Sequence, residues 1–168
     1  FKQNERIRKQ EIDEYNQTID KQKDAFLSGT PDGIKSALSI VFQMSEYPEE
    51  FPKEYELEFD IGSSTLVISL KLPIPENFSK IKSYRYVSTT KTIKETEFTK
   101  KDFNALYDSM IKQTALRTVY ESFKADERGN IKNVVFNGWI ESIDRATGKD
   151  YRACIISLQL SRKLFSEM

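Results

Sequence analysis

Carboxylates are the side chains of this sequence best suited to chemistry, because it contains 26 acidic residues and no histidine. The absence of imidazole excludes histidine-based triads, histidine-containing zinc sites and the commonest general base at neutral pH. The best remaining candidate is Asp60 with Lys71, since one class of Mg²⁺-dependent nucleases uses an Asp on one strand and an acid two residues before a Lys on the next. Ser69 occupies the position of that second acid and cannot replace a carboxylate. Asp60 also ends an alternating acidic row, which is more typical of a solvated strand face. The sequence therefore predicts no catalytic residue, metal site or cofactor in this chain.

Two further motifs have simpler explanations than chemistry. Cys154 alternates with Ile156, Leu158 and Leu160, so we expect a buried small apolar residue rather than a nucleophile. The segment 147–149 is similar to the end of a phosphate-binding loop, but it lacks the upstream glycine and joins two predicted strands. It is predicted to be a turn.

Charge is balanced overall but separated locally. With 26 basic and 26 acidic side chains, the chain has no net charge to attract nucleic acid or an anionic membrane, so any such partner must use a local patch. Residues 46–60, the acidic patch, include seven acidic residues and one basic residue, Lys53. Residues 80–101 include seven basic residues and two acidic ones, Glu95 and Glu97. The alternative to a binding surface is a solvated sheet face, which could also dock against the acidic patch. The candidate DNA-contacting residues are Lys80, Lys82, Arg85, Lys91 and Lys94.

Aromatic residues interleave with these cations. Tyr84 and Tyr86 could stack on bases if their rings face outward, but the alternation of a strand puts both on one face that could equally be core. A second basic group could extend the surface around the last two strands. Its members are Arg145, Lys149, Arg152, Arg162 and Lys163.

The highly charged range 2–28 predicts a helical arm. Residues recur at alternating spacings of three and four, which is the pattern of a short coiled coil; they are Ile12, Tyr15, Ile19, Gln22 and Phe26. An amphipathic helix that lies on the domain is an equally good interpretation. The candidate self-association residues, which we call the seam, are Ile12, Tyr15, Ile19 and Phe26.

Turn residues and alternation divide most of the remaining chain into short elements. Gly29 ends the arm, and Thr30 followed by Pro31 predicts the start of a second helix. A bulge is expected at 137–138 and a further element at 164–168. Strands are predicted at 55–61 and 66–72, which form a hairpin, at 83–87 and 92–98, and at 131–144 and 151–161, which pair antiparallel.

Range 99–124 predicts the longest helix, and Thr99 with Asp102 forms a capping box at its start. Its apolar face changes sides near Gln113, which indicates a helix that passes between two bodies; a kink at 112–114 is the alternative. The two predicted faces are Phe103, Leu106, Tyr107, Met110 and Ile111, and then Ala115, Leu116, Val119, Tyr120 and Phe123.

These elements predict an α+β fold, with N-terminal helices and antiparallel β-hairpins or a sheet packed around one long central helix. We divide the chain into a helical arm, 1–28, and an α+β auxiliary domain, 29–168. One cysteine cannot form an internal disulfide, and no apolar run approaches the roughly 20 residues that span a bilayer. We therefore expect a cytoplasmic protein without a membrane partner. Because it begins at Phe1, we expect a piece of a longer chain.

Three segments resemble bacterial proteins of the Mrr-type restriction endonuclease family. They are Ser83–Val87 (SYRYV), Ala115–Thr118 (ALRT) and Val134–Asp144 (VVFNGWIESID), the last continued by Ala146–Gly148. The likeness runs from Gly29 to Phe165 and covers the region that those proteins carry upstream of their nuclease domain; the arm resembles the end of a still earlier helical part. The nuclease signature of the family is absent, so the resemblance implies no catalytic residue here and Mg²⁺ only for the parent protein.

The expected function is therefore a non-catalytic auxiliary domain of a restriction endonuclease-like bacterial defence protein, which serves DNA engagement, regulation or assembly. The alternative is a protein interaction module that forms a homo-oligomer through the seam and does not contact DNA. DNA binding that weakens steeply with salt would favour the first function.

Overall fold

The structure, a computed structural model, describes residues 2–167 and the side chains of residues 6–167. It has the predicted α+β fold, and the predicted strands and long helix lie within two residues of their expected positions. The element expected at 164–168 is a short helix, and Met168 lies outside the described residues. The elements are α1 (Lys2–Leu27), α2 (Pro31–Met44), β1 (Tyr55–Asp60), β2 (Thr65–Lys71), β3 (Ile81–Val87), β4 (Thr92–Glu97), α3 (Lys100–Ala125), β5 (Asn133–Ile143), β6 (Asp150–Ser161) and α4 (Arg162–Ser166).

Four strands form the main sheet in the order β1-β2-β5-β6. The pairs β1–β2 and β5–β6 are antiparallel as predicted, whereas β2 and β5 are parallel neighbours. Parallel neighbours need a long crossover connection, which here contains β3, β4 and α3. The small sheet of β3 and β4 is thus an insertion between the main sheet and its crossover helix.

One apolar core contains residues of the main sheet and of the helices α2 and α3. Burying each large aliphatic side chain contributes about 1.5 to 3 kcal/mol, so this cluster supplies the main driving force for the fold. Its most deeply buried members are Ile34, Leu38, Leu66, Ile68, Leu72, Ile111, Ala115, Val119, Ile131, Val134 and Phe136.

The helix α3 serves this single core, so the interpretation of a helix between two bodies is wrong. Met110 and Val119, from the two predicted faces, contact the same cluster. Buried hydroxyl residues join the two faces into one winding stripe: Thr118 donates to the carbonyl of Thr114 at 2.9 Å, and Ser122 donates to that of Thr118 at 2.8 Å. These bonds let polar residues enter a core, and a count of apolar residues alone misses them.

The predicted helix starts are confirmed by their caps. The hydroxyl of Thr99 accepts from the N–H of Asp102 at 3.1 Å, and that of Thr30 accepts from the N–H of Gly33 at 3.2 Å. Gly29, at φ +69°, supplies the left-handed conformation that ends α1.

Among the side chains that the structure describes, from Arg6 onward, the arm α1 contacts the domain only through its last turn. Side chains from Arg6 to Asp24 are exposed, and partial burial begins at Ala25. The alternative in which the whole arm lies on the domain is therefore wrong for these residues.

A strand irregularity occurs beside Gly138, close to the predicted bulge, but the extra residue is Ile155 of the partner strand. Gly138 pairs with Ile156, and Trp139 pairs with Cys154. The extra residue reverses the alternation of side chains along β6. Cys154 is consequently exposed, and the prediction that it is buried is wrong.

An ion pair between Asp126 and Arg162 joins α3 to the two long strands. The Asp126 side chain is fully buried, and its carboxylate accepts from Arg162 Nη2 at 2.7 Å and from the N–H of Ile131 at 2.6 Å. Arg162 also donates to the carbonyls of Ile131 and Phe123, at 2.8 and 3.0 Å. The pair satisfies several backbone groups where three elements meet.

Asp126→Ala should lower the free energy of unfolding by about 3 kcal/mol or more, because it leaves Arg162 and the N–H of Ile131 without their acceptor. Asp108→Ala is the matched control, since Asp108 forms an exposed pair with Lys112 that should contribute less than about 1 kcal/mol. Urea denaturation of both variants checks this. Equal effects would contradict the role given to Asp126.

Candidate nucleic-acid interface

The five candidate DNA-contacting residues lie together on an antiparallel pair, β3 with β4, which we call the ribbon. Arg85 is directly opposite Lys94 at its centre, Lys91 is in the turn at its tip, and Lys80 and Lys82 are at its base. All five are exposed. The turn between β3 and β4 brings these five residues, which are spread over 15 positions of the sequence, onto one small element.

The two faces of the ribbon differ in chemistry. Cross-strand pairing puts Tyr86 opposite Ile93 on one face, with Tyr84 beside them, and Arg85 opposite Lys94 on the other. Tyr84, Tyr86 and Ile93 are 64%, 63% and 66% exposed. The rings are therefore free to stack, which the sequence left open.

The ribbon is anchored at its base and little supported elsewhere. The N–H of Phe98 donates to the carbonyl of Lys80 at 2.8 Å, and the ring of Phe98 lies 6.4 Å from that of Phe103 in α3. Lys82 Nζ lies 5.9 Å from the centre of the Phe98 ring. An isolated two-stranded hairpin is only marginally stable in water, so this attachment to α3 positions the ribbon.

Lys91 holds a conformation that favours glycine. Its φ is +50°, in the left-handed region, which costs a non-glycine residue about 1 to 2 kcal/mol. The turn therefore presents a cationic side chain at the tip in a strained backbone conformation.

The ribbon does not dock against the acidic patch. No ion pair found among the described residues involves a ribbon cation, and the acidic residues Glu56 and Glu58 are themselves exposed. The alternative of mutual docking is wrong. The ribbon cations face water.

The second predicted basic group does not form a free cationic surface. Arg162 is engaged with Asp126, Arg145 pairs with Glu76 at 3.3 Å, and the Arg152 guanidinium stacks on Trp139 at 3.6 Å from the ring centre. Three of its five members thus make contacts within the protein.

Asp60 and Lys71 lie at opposite ends of the first hairpin, about 20 Å apart along the strands. Hydrogen bonds from the Ser63 hydroxyl and from backbone N–H groups of the turn lower the pKa of Asp60. Lys71 Nζ lies 2.9 Å from both Glu54 and Glu141, and hydrogen bonds to these carboxylates raise the pKa of Lys71. Asp60 is therefore engaged in a turn and Lys71 in an ion-pair network, and the two form no common site.

Residues 6–167 contain no group of three Asp, Glu or Cys side chains placed to hold a metal ion. In this same part of the chain, no helix is both long and apolar enough to cross a bilayer.

The seam residues are divided between solvent and the domain. Ile12, Tyr15 and Ile19 are 50%, 67% and 42% exposed, whereas Phe26 packs against the core. The exposed part is available to a partner.

A cluster of side chains around Trp139 has no counterpart among the residues predicted from the sequence. Its members, among them Lys71, Glu141 and Arg152, come from three neighbouring strands, so their spacing in sequence carries no signal. The one signal in the sequence is the bulge expected at 137–138, which immediately precedes Trp139.

No family model, curated protein or solved structure matches the chain.

Incubated with supercoiled plasmid and Mg²⁺ or Mn²⁺, the purified chain should leave the DNA intact, since Ser69 occupies the position of the second metal-binding acid and Lys71 lies far from Asp60. Agarose electrophoresis measures nicking. Nicking that is lost in Asp60→Ala but retained in Glu58→Ala, a neighbouring acid of the same strand, would show the expectation to be wrong.

Proposed function

We propose that this chain is a non-catalytic domain that engages DNA through the ribbon. The observation that carries the proposal is the exposed pair of Arg85 and Lys94, directly opposite each other on a ribbon that projects from the crossover connection. The chain also resembles the region that Mrr-type proteins carry upstream of their nuclease domain, which agrees with a role in DNA engagement. In that setting Mg²⁺ belongs to the nuclease of the parent protein, and the protein acts in the bacterial cytoplasm.

The like-charged pair supports an anionic partner. Two cations directly opposite each other on adjacent strands repel, which destabilises a ribbon that is already marginal. A phosphate bound between Arg85 and Lys94 converts this repulsion into two attractions. The arrangement is unfavourable for folding and favourable for binding.

The dimensions of the ribbon also suit duplex DNA. Seven residues of β3 extend about 23 Å, which corresponds to about six or seven base pairs. The major groove, about 12 Å wide, admits a two-stranded ribbon. Lys91 at the tip and Lys80 at the base then reach phosphates that the central pair does not. Tyr84 and Tyr86 on the opposite face can stack on unpaired bases.

Replacing Arg85 and Lys94 together with Ala should weaken binding to a labelled duplex at least about tenfold and lower the slope of log K against log salt by about two units. The matched control replaces Lys21 and Lys23, two exposed cations of α1, with Ala and removes the same charge. Fluorescence anisotropy between about 50 and 200 mM salt measures both.

Two results would contradict the proposal. One is no binding by the unmodified chain at low salt. The other is an equal loss of affinity in the ribbon and control variants, which would indicate attraction by charge in general rather than contact through the ribbon.

A second candidate function, self-association through the seam, is favoured by the exposure of Ile12, Tyr15 and Ile19 on one side of α1. A pattern of threes and fours on an otherwise charged helix buries these residues when two copies pair. The parent protein would then be a homo-oligomer whose domains present two ribbons.

Replacing Ile12 and Ile19 together with Lys should shift a dimer to a monomer in sedimentation analysis, because the charges enter the seam. Ile7→Lys is the control, since Ile7 is 50% exposed on the same helix but lies outside the seam. A monomeric unmodified chain at about 100 μM, well above the Kd of a specific dimer, would exclude this function.

A further inference from the structure

A cleft of about 760 Å³ opens beside the start of β1. Its volume is within the range of small-molecule sites, about 300 to 1,000 Å³. Four of the lining residues are aromatic: Phe42, Tyr47, Tyr55 and Trp139. Flat apolar walls of this kind suit a planar ligand.

Trp139 has a polar group without a partner. The side chain is only 7% exposed, and its Nε1 is the one buried side-chain nitrogen or oxygen in the described part of the chain that lacks a hydrogen-bond partner. A buried indole N–H usually finds an acceptor, and leaving it unpaired is unfavourable. A residue that lines the cleft therefore carries a donor for which the protein supplies no acceptor.

The side chains that cover Trp139 are charged. The exposed Arg152 stacks on the ring, and Lys71 Nζ lies 5.5 Å from the ring centre while it bridges Glu54 and Glu141. A planar ligand that displaces Arg152 takes over its stacking position on the face of the ring. Arg152 makes no ion pair among the described residues, so its displacement breaks no ion pair.

The charge of the cleft selects against multiply charged anions. Its lining cations are Lys53 and Arg152, and its lining carboxylates are those of Glu54, Glu56 and Glu141. Lys71 bridges two of these acids and adds a third cation, so three cations balance three carboxylates and the cleft is close to neutral. A phosphate-rich ligand gains little here, in contrast to the ribbon.

We infer that this cleft binds a nucleobase, which is planar, neutral and carries hydrogen-bond acceptors on its edge. The base can come from a free nucleoside or from an unpaired position of a nucleic acid. Ring contacts connect the cleft with the ribbon base: Tyr47 lies 5.5 Å from Phe51, which lies 6.1 Å from Phe78, just before β3. The inference does not depend on DNA binding by the ribbon.

The experiment uses Trp139 as its own reporter, because it is the single tryptophan of the chain. Adenosine, guanosine, cytidine and thymidine are titrated, and both fluorescence and heat of binding are recorded. At least one nucleoside should change the emission of Trp139 in a saturable way.

Trp139→Phe separates binding from folding. It keeps an aromatic ring but removes the unpaired N–H, so the affinity measured by calorimetry should fall about fivefold in a variant that still folds. Tyr47→Ala removes a wall of the cleft and should also weaken binding. Tyr47→Phe should not, because the ring remains and the hydroxyl that it loses is hydrogen-bonded to that of Thr118, at 3.3 Å, within the protein. The tyrosine pair keeps the test decisive if Trp139→Phe fails to fold.

A single-stranded oligonucleotide and a fully paired duplex distinguish the sources of the base. Stronger quenching by the single strand than by nucleosides identifies an unpaired base of nucleic acid; equal quenching identifies the free nucleoside. The variant with Arg85 and Lys94 replaced by Ala should bind nucleosides normally, so failure of the ribbon proposal leaves this result intact. No response to any nucleoside or oligonucleotide at millimolar concentration, or unchanged affinity in both Trp139→Phe and Tyr47→Ala, would overturn the inference.

Discussion

The ion pair between the buried Asp126 and the partly exposed Arg162 is the constraint on which the arrangement of the main sheet depends. It holds the end of α3 against the start of β5 and the end of β6, and its bonds go largely to backbone groups of Ile131 and Phe123. The place where β5 begins is thereby set relative to α3. Because β5 pairs in parallel with β2, that starting point also determines which side chains become neighbours across the sheet, including Trp139 beside Lys71.

The ribbon, in contrast to the main sheet, is not held in place by buried contacts on its faces. Both of its faces are exposed, so burial neither stabilises it nor restricts its composition. Opposed cations and a lysine with positive φ are both unfavourable for an isolated ribbon and are tolerated because the core elsewhere carries the stability of the domain. Elements of this kind are where a fold presents binding groups. The cleft has features of both the core and the ribbon, because a buried ring forms part of its wall and exposed charged side chains surround it.

Local features of this sequence were predictable because they depend on residues close together in the chain. The caps at Thr30 and Thr99 and the first hairpin each arise from neighbours within a few positions, and all are confirmed. Predictions failed where distant partners decide. The apolar pattern of α3 predicts two faces because it leaves out the buried threonines that connect them. The alternation of β6 predicts a buried Cys154 because the sequence does not reveal the extra residue in that strand.

The sequence by itself determined the α+β class, the extent of the elements, the absence of imidazole chemistry and the concentration of cations between Lys80 and Lys94. Only the tertiary structure decided that Tyr84 and Tyr86 are exposed, that Asp60 and Lys71 are far apart, and that aromatic residues from separate elements line one cleft. The reason is that side-chain periodicity reports the shape of one element, whereas exposure and proximity depend on which elements become neighbours. In this chain the parallel crossover from β2 to β5 makes that choice, and it is settled by burial of the shared core and by the pairing of Asp126 with Arg162.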